Sequence, residues 1–478
     1  MTFAPSLLWL LGGSLAAYVV GLYALCFRIQ GRIQTSEDYL VAGRKLTLPF
    51  ATATILATWF GAGTVLTAAD EVRASGLKAA ALEPLGSGVC LLIAGWFMAG
   101  PIWKMKLLTL SDLFRARFGR HAEVLSALVM VPSYFGWVAA QFVALAGMLQ
   151  LFFGIDLSAG ILIVALVGSG YTLLGGMWSV TLTDALQMAL VLAGLLVLGF
   201  STLTGLGEGS AIVGLVRLWN DTPPELRNPI PATTLRDFTD WVAVFAIAAL
   251  GNLPSQDIVQ RISASRTSAV ARRACLWSGC LYISFGIIPV GLGLAGRILF
   301  PESLNAAILP ALAHGFTQPF VAVTFTVMLA SAVLSSIDSG ILAPAAVLSE
   351  NLFRYANRGR LSSLTLNRIA VAIVGAGSLA MAYSGQSAYG LLEDSYEVVF
   401  VSLFVPMAFA VYGWRCSGKA AVASMSSGIL IWFVHWTAGW QYLAEPFLPV
   451  PIPASLSATV ASLLAYLAFC RTGRGSSG

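Results

Sequence analysis

The chain has 478 residues, of which 58% are hydrophobic and only 10% are charged. Soluble domains carry about 25% charged residues, so this composition excludes a water-soluble globular protein and indicates a chain whose solvent is a lipid bilayer. The formal net charge of +5 would suit a nucleic-acid-binding protein, but the basic residues lie in short loops between apolar stretches, which argues against that class.

Apolar stretches long enough to cross a bilayer recur from one end of the chain to the other, since a spanning helix needs about 20 residues. The first lacks a preceding basic segment and is too long for a cleaved signal peptide, so we expect a retained helix. The loops are too short for a soluble domain, and residues 1–478 are therefore predicted to form one transmembrane unit. The pattern predicts thirteen helices, near residues 5–27, 47–71, 78–103, 122–153, 158–177, 181–204, 237–259, 274–299, 318–350, 366–385, 388–413, 420–440 and 452–470.

The distribution of Lys and Arg predicts the orientation, because cytoplasmic loops carry an excess of basic residues. With an external N-terminus, most of the 27 Lys and Arg residues fall in inner loops, near residues 28–45, 104–120 and 261–273 and after residue 353. We therefore expect an N-out, C-in topology in a cell membrane (plasma or inner membrane). The basic residues left outside are Arg73, Lys78, Arg217, Arg227, Arg236 and Arg297.

The sequence contains no arrangement of residues typical of an enzyme. Its three histidines, His121, His314 and His435, are scattered, and its six cysteines show no metal-binding spacing. It also lacks a Walker motif, so we expect neither an enzyme nor an ATP-driven pump. The two longest predicted external loops, 205–236 and 301–317, look too small for a folded domain, although the second is expected to carry a short helix.

Two predicted helices are interrupted in the middle of the membrane. The second carries Gly61 and Gly63 between threonines, and the seventh carries the run GNLPSQ at residues 251–256. Paired interruptions in the first helices of two five-helix halves point to the midplane binding site of a transporter. The alternative is a pair of packing kinks, since spanning helices tolerate Gly and Pro.

A run of hydroxyls with one carboxylate lies inside the apolar ninth helix, at residues 331–339. Water cannot satisfy those oxygens at membrane depth, so another group must do so. A small desolvated cation, held jointly with the interrupted second helix, fits this pattern. The alternative is that the serines bond to carbonyls of their own helix or join neighbouring helices.

Four ordered motifs resemble those of the sodium/solute symporter family. They are SEDYLVAGR at residues 36–44, GGMWSVTLTDALQ at 175–187, DIVQR at 257–261 and the serine run at 335–339. The resemblance covers roughly residues 36–440. It implies an all-α integral membrane protein with a LeuT-like inverted repeat of five plus five helices, and sodium-driven uptake of a small organic solute. On that basis residues 5–27 form an extra helix, 47–204 and 237–413 the two repeats, and 420–470 two C-terminal helices.

The resemblance also implies a sodium site between the second and ninth helices. Na⁺ is a hard cation and takes oxygen ligands. By similarity to the family, Ala57 and Phe60 would offer carbonyl oxygens from the broken helix, and Ala332 another from the ninth helix. Ser335 and Ser336 would offer their hydroxyls. Residues 332, 335 and 336 are spaced i, i+3, i+4 and so share one helical face.

Two aspartates are candidates for the path by which the ion leaves. Asp338 follows the two serines toward the predicted inner side, where it either lines that path or pairs with an inner-loop arginine. Asp184 coincides with the family's signature aspartate, which implies an exit-path role. Its other reading is an N-terminal helix cap.

Within the family, Thr58 to Gly61, the serine run and AYGL at residues 388–391 resemble the high-affinity choline transporter branch and its bacterial relatives. Trp59 and Trp137 match tryptophans that line the choline pocket of that branch, and aromatic faces attract quaternary ammonium groups. Ser255 and Leu392, however, stand where the branch has aromatic residues. We therefore do not expect the complete set of aromatic side chains that surrounds choline in that branch.

Further polar residues complete the predicted substrate site. Glu83 matches a glutamate that contacts sugar in the family's galactose carriers, and it could instead pair with an amine or lie wet at the outer surface. Ala248 replaces the asparagine of those sugar carriers. Gln141 and Gln256 are candidate hydrogen-bonding residues. Three acidic residues at the outer start of the eleventh helix either draw cations toward the pocket or decorate a solvated helix end: Glu393, Asp394 and Glu397.

The predicted function is sodium-coupled symport of a small polar organic solute by alternating access, with an amine or quaternary ammonium compound favoured. An amino acid such as proline, a sugar or a monocarboxylate stays open as the solute. A transporter-like nutrient sensor and a sodium-independent facilitator are the rival classes. The expected partners are Na⁺, the solute and the lipid bilayer, with no nucleic acid, no obligate protein partner and no cofactor besides Na⁺.

Overall fold

The computed structural model describes residues 5–29, 31, 33–231, 233–300, 319–357, 359–414, 417–443, 445 and 451–472. These residues are mostly helical, as the sequence predicts. The helices are α1 Pro5–Ile29, α2 Ser36–Val41, α3 Leu48–Trp59, α4 Gly63–Ser75, α5 Leu77–Lys104, α6 Leu110–Phe118, α7 Arg120–Phe153, α8 Leu157–Leu206, α9 Ala211–Asp221, α10 Leu235–Ala264, α11 Ser268–Leu299, α12 Pro319–Asn357, α13 Ser363–Ala382, α14 Ala388–Tyr412, α15 Gly418–Ala438 and α16 Ala454–Thr472.

Ten of the described helices are long and apolar enough to cross a membrane, and the bent pair α3 and α4 brings the number to eleven. A straight helix of 50 residues such as α8 would extend about 75 Å, far more than the bilayer core. Gly176 interrupts it with φ 49° and ψ −159°, one residue before the end of the predicted helix 158–177 and ahead of the predicted helix 181–204. Helix α16 is apolar but shorter. The count of thirteen, the orientation and the repeat boundaries stay predictions.

Helix α12 forms the centre of the molecule. Every residue from Met328 through Val347 is buried, whereas α1 buries only Leu11, Leu22, Cys26 and Ile29. A helix that is apolar on all sides can lie at the centre of the molecule, as α12 does, or face lipid, as α1 does. Lipid tails and the protein core are similarly apolar surroundings. The hydroxyl run of α12 therefore lies in a fully buried stretch of the described chain.

Besides α8, three of the spans in the described part of the chain are broken. Helices α3 and α4 meet at an angle of 60°, and α10 is interrupted at residues 252–255, both where the sequence predicts breaks. The third break, in α5, was not predicted, so the prediction of a continuous helix over residues 78–103 is wrong at Glu83. There, Glu83 in α5 has an extended backbone with φ −130° and ψ 125°, followed by Pro84.

Arg44 ties together three segments at the predicted cytoplasmic face. Its guanidinium donates to the carbonyl oxygens of Ser263 at 3.2 Å, Lys106 at 3.0 Å and Leu107 at 3.2 Å, and it pairs with Glu37 at 2.6 Å. On the opposite side, the 205–236 stretch forms α9, whose N-terminus is capped by Ser210. The predicted loop helix within 301–317, and residue 318, lie outside the described residues.

Candidate functional site

The break between α3 and α4 is built on close packing around Gly61. A Cβ atom there would lie 2.3 Å from the Ser336 hydroxyl oxygen, so only glycine fits. The amide oxygen of Gln141 accepts a hydrogen bond from the backbone N–H of Ala62 at 2.8 Å. Gln141 thus satisfies one of the backbone donors that the break leaves free, and it is bonded to the break itself.

The serines of α12 face this break. The Ser335 hydroxyl lies 3.0 Å from the carbonyl oxygen of Ala57 and 2.8 Å from that of Ala332, and the Ser336 hydroxyl donates to the carbonyl of Thr58 at 2.9 Å. Phe60 is at the break, with φ −83° and ψ 61°. The structure therefore brings the predicted sodium-binding residues to one place. Ser331, by contrast, donates to a carbonyl of its own helix, that of Val327, at 2.7 Å.

The Ser335 hydroxyl contacts carbonyl oxygens of two helices. A hydroxyl has a single proton, so it donates fully to only one of the two carbonyls that it contacts. The other carbonyl then faces the hydroxyl oxygen without a donor between them. Buried oxygens that crowd together without enough protons are suitable ligands for a hard cation.

A buried polar network adjoins these serines. Arg261 donates to the Thr54 carbonyl at 3.1 Å and to the Ser339 hydroxyl at 2.5 Å, and its guanidinium lies 3.9 Å from the Asp184 carboxylate. Thr54 donates to Asp184 at 2.5 Å, and Ser339 donates to Asp338 at 3.1 Å. Within the described residues, one carboxylate oxygen of each aspartate has no hydrogen-bond partner.

This network bears on the alternatives for the two aspartates. Asp184 lies eight residues beyond the Gly176 break and bonds to α3, so the capping alternative is wrong. Asp338 reaches Arg261 through Ser339 rather than by a direct ion pair. Both carboxylates are buried beside the serine cluster, and their role on an ion path stays a prediction.

A cavity of about 40 Å³ lies beside the break and is lined by aromatic and acidic residues. Four of the predicted substrate residues line it: Trp59, Glu83, Trp137 and Ser255. The Ser255 hydroxyl is buried and has no hydrogen-bond partner within the described part of the chain. Further lining residues include Tyr134, Asn252, Asp257, Ser395 and Tyr396.

Gln256 does not belong to this cavity, and its prediction as a substrate ligand is wrong. Its amide oxygen accepts from the backbone N–H of Leu110 at 2.6 Å, and its amide nitrogen donates to the carbonyl of Leu108 at 3.2 Å. The side chain therefore fastens α10 to the loop before α6. Gln141 likewise bonds outside this cavity, to the backbone N–H of Ala62 at the break between α3 and α4.

Asp257 is the residue of the cavity that sequence reasoning missed. One carboxylate oxygen accepts from the indole N–H of Trp59 at 2.7 Å, and the other accepts from the Tyr134 hydroxyl. Tyr134 in turn packs edge-to-face on Trp137, with ring centroids 5.6 Å apart. One carboxylate thus orients two aromatic walls directly and a third through Tyr134. The signal available in the sequence was an acidic residue two positions after the break in α10.

Glu83 is buried, so the alternative of a wet carboxylate at the outer surface is wrong. Its carboxylate accepts hydrogen bonds from Ser87 at 2.8 Å, from Thr64 at 3.3 Å and from the Tyr282 hydroxyl. These partners belong to α5, α4 and α11, and the break in α5 turns Glu83 toward them. Because the lining of the cavity holds two carboxylates and no Lys or Arg among the described residues, its charge favours a cation.

Comparison with known proteins supports this description of the fold. Residues 39–428 match the sequence model of the sodium:solute symporter family. The human high affinity choline transporter 1 is 26% identical over 434 residues, which cover 86% of this chain and 72% of that protein. The sodium/pantothenate symporter of Haemophilus influenzae is 27% identical over 299 residues, which cover 62% of this chain and 58% of that protein.

Solved structures share the fold at low sequence identity. A sodium-coupled sialic acid symporter in a substrate-bound, outward-open state superposes with a TM-score of 0.79 at 17% identity, covering 96% of this chain and 97% of the other. Mhp1, a nucleobase-cation-symport-1 family transporter, superposes with a TM-score of 0.63 at 15% identity, covering 92% and 96%. The fold is therefore that of LeuT-like transporters, as predicted.

The protein is accordingly a multi-pass membrane transporter that couples Na⁺ to a small polar solute, and not an enzyme. The four motifs that suggested this are spread along the matched region, and the structure gathers residues from three of them around the break in the second span. With a family match over residues 39–428, the chain belongs to the sodium:solute symporter family.

Proposed function

We propose that the chain transports a small organic cation, bound in the aromatic and acidic cavity and driven by Na⁺ at the break between α3 and α4. The observation that carries this proposal is the lining of the cavity, where Glu83 and Asp257 lie among the faces of Trp59, Trp137 and Tyr134. Aromatic faces and carboxylates both attract ammonium groups. Neither favours a carboxylate or another anion.

The proposed sodium ligands are the carbonyl oxygens of Ala57, Phe60 and Ala332 and the hydroxyls of Ser335 and Ser336. Support comes from the crowding of oxygens around Ser335, where one proton serves two carbonyls. A sodium ion among them would accept all of these oxygens as ligands. Asp184 and Asp338 then lie next to the site, on the proposed path of the ion toward the predicted cytoplasmic side.

Trp59 couples the two sites in this proposal. It lies in the helical turn between Ala57 and Phe60, and its indole donates to Asp257 in the cavity. When Na⁺ draws the carbonyls of this turn together, the indole is held against the carboxylate that orients Tyr134. Sodium thus completes the binding site for the organic cation. Alternating access then exposes both ligands to the other side.

The geometry favours a compact ammonium ion over choline itself. Ser255 and Leu392 leave the box with fewer aromatic walls than the choline branch has, while Asp257 and Glu83 add acceptors for N–H donors. A quaternary ammonium group has no N–H to donate, so it gains only the charge and the aromatic faces. A primary or secondary amine gains hydrogen bonds as well.

Uptake by proteoliposomes tests this function. Labelled ethanolamine, choline, proline, glucose and acetate are each offered with an inward Na⁺ gradient and with an equal K⁺ gradient. We expect saturable uptake of ethanolamine that needs Na⁺, with weaker uptake of choline. Sodium-driven uptake of only proline, glucose or acetate would contradict the organic cation. Thermal stabilisation by ethanolamine and Na⁺ without any uptake would favour the nutrient sensor instead.

A further inference from the structure

A second, larger cavity lies beside the first, with a volume of about 540 Å³. It is formed by the first turns of α10 and α14, by the end of α15 and by the start of α16. Its volume lies within the range of about 300–1,000 Å³ that is typical of small-molecule sites. Neither the sodium site nor the first cavity uses its residues.

The walls of this second cavity are acidic and aromatic. Asp240 contributes a carboxylate from α10, and Glu393, Asp394 and Glu397 contribute three from α14. Indole rings and a phenol complete the wall: Trp432, Trp436, Trp440 and Tyr442. The described lining includes neither Lys nor Arg. Arg236, outside this lining, donates to the Tyr442 hydroxyl at 2.8 Å, and that hydroxyl donates to the Asp240 carboxylate at 2.8 Å. The three carboxylates of α14 are therefore the ones that the proposal uses.

The arrangement does not suit a metal ion. A metal draws three or more donor groups to one point, and the described residues contain no such group of His, Cys, Asp or Glu. The carboxylates are instead spread around a cavity with aromatic walls. A ligand that carries its positive charge on an apolar frame, such as an organic ammonium ion, matches both kinds of wall.

We propose that this cavity is a second binding site for a small organic ammonium cation. It shares two helices with the first cavity. In α14, Ser395, Tyr396 and Val399 face the first cavity, whereas the three acidic residues face the second. In α10, Gly251 and Asn252 line the first, and residues 240–247 contribute to the second. A cation bound in the second cavity therefore biases the positions of the helices that form the transport site.

Equilibrium binding of tritiated choline to the purified full-length protein tests the proposal. The first cavity is proposed to need Na⁺, so binding in K⁺ buffer reports the second cavity alone. We expect a saturable component in K⁺ buffer with about one site per chain. Replacing Asp394→Asn and Glu397→Gln together should raise its Kd about tenfold or more, which corresponds to about 1.4 kcal/mol.

Matched variants keep the test specific. Glu225→Gln removes an exposed carboxylate away from the cavity, and it should leave the Kd within about twofold. Trp432→Leu should weaken binding, whereas Trp277→Leu, an exposed indole on α11, should not. Size-exclusion profiles and thermal midpoints check that each variant folds.

Three results would overturn the second site. They are no saturable binding in K⁺ buffer, the same Kd in the double variant as in the parent, and displacement of the probe by excess Mg²⁺ as strong as by unlabelled choline. The last would show a diffuse acidic surface. Trp59 does not line the second cavity, so failure of sodium-dependent uptake in the Trp59→Ala variant leaves this test intact.

Discussion

Ser335 and Ser331 are two hydroxyls of one buried helix with different surroundings. The Ser331 hydroxyl donates to the carbonyl oxygen of Val327, four residues earlier in the same helix. Ser335 contacts carbonyls of two helices with one proton. The two serines thus differ, because Ser331 bonds to a carbonyl of its own helix and Ser335 also contacts a carbonyl of α3.

Replacing Ser335→Ala should weaken sodium binding without unfolding the protein. We expect the half-saturating sodium concentration of uptake to rise about tenfold or more, a loss of about 1.4 kcal/mol. Ser331→Ala, at an equally buried position of α12, is the control and should stay within about twofold. Equal sodium dependence in both variants would remove Ser335 from the site.

Asp257→Asn should weaken binding of the solute more than binding of sodium. The change removes the negative charge and one acceptor from Trp59 and Tyr134, so we expect the KM for ethanolamine to rise about tenfold, since hydrogen bonds to charged groups contribute about 1.5–3 kcal/mol. Asp221→Asn, at an exposed helix end, controls for net charge. An unchanged KM would show that Asp257 serves only the packing of the two rings.

The sequence predicts some of these residues and not others for a physical reason. Trp59, Trp137 and Glu83 stand at positions that the family's motifs mark, and they do line the cavity. Gln256 and Asp257 are neighbours, and neighbouring helical residues point about 100° apart. Which of the two faces the cavity depends on how α10 resumes after its break, and that angle is set by tertiary packing.

At the scale of the helix, the break between α3 and α4 depends on a contact that leaves no room for a side chain. Gly61→Ala would place a methyl group against Ser336 and the Gln141 amide oxygen. We expect the two helices to separate and sodium-driven uptake to fall at least about tenfold, as overpacking typically costs about 1–3 kcal/mol.

Gly147→Ala is the matched control, because nothing lies within 4 Å of a Cβ atom at that position of α7. Uptake and the thermal midpoint of this variant should equal those of the parent or exceed them slightly, since alanine favours helix. Equal losses in both variants would mean that Gly61 contributes helix flexibility rather than close approach.

The helices themselves were largely predictable. About twenty apolar residues between polar turns identify a spanning helix whatever its neighbours are. The division of α8 was predictable too, because two adjacent glycines, Gly175 and Gly176, lie at the point where the helix is interrupted. The break in α5 was not, since a lone proline in a membrane helix is usually accommodated. There the hydrogen bonds of Glu83 to α4 and α11 accompany the extended backbone.

For the molecule as a whole, an organic cation as solute makes transport strongly electrogenic. Each positive charge moved through about 100 mV contributes about 2.3 kcal/mol. One Na⁺ with one ammonium ion carries two charges, so the potential contributes about 4.6 kcal/mol per cycle. Parallel recordings of current and labelled ethanolamine uptake in proteoliposomes should give a charge-to-solute ratio of about 2 or more. A ratio of one would indicate that the solute travels without a net charge.

The tie made by Arg44 has a consequence for the speed of the protein. Its guanidinium holds the α2 segment, the end of α10 and the loop before α6 at the predicted cytoplasmic face. We expect release of cargo to that side to break these bonds, so the opening of Arg44 should set an upper limit on turnover. A shorter side chain there should raise turnover and loosen the coupling between Na⁺ and solute.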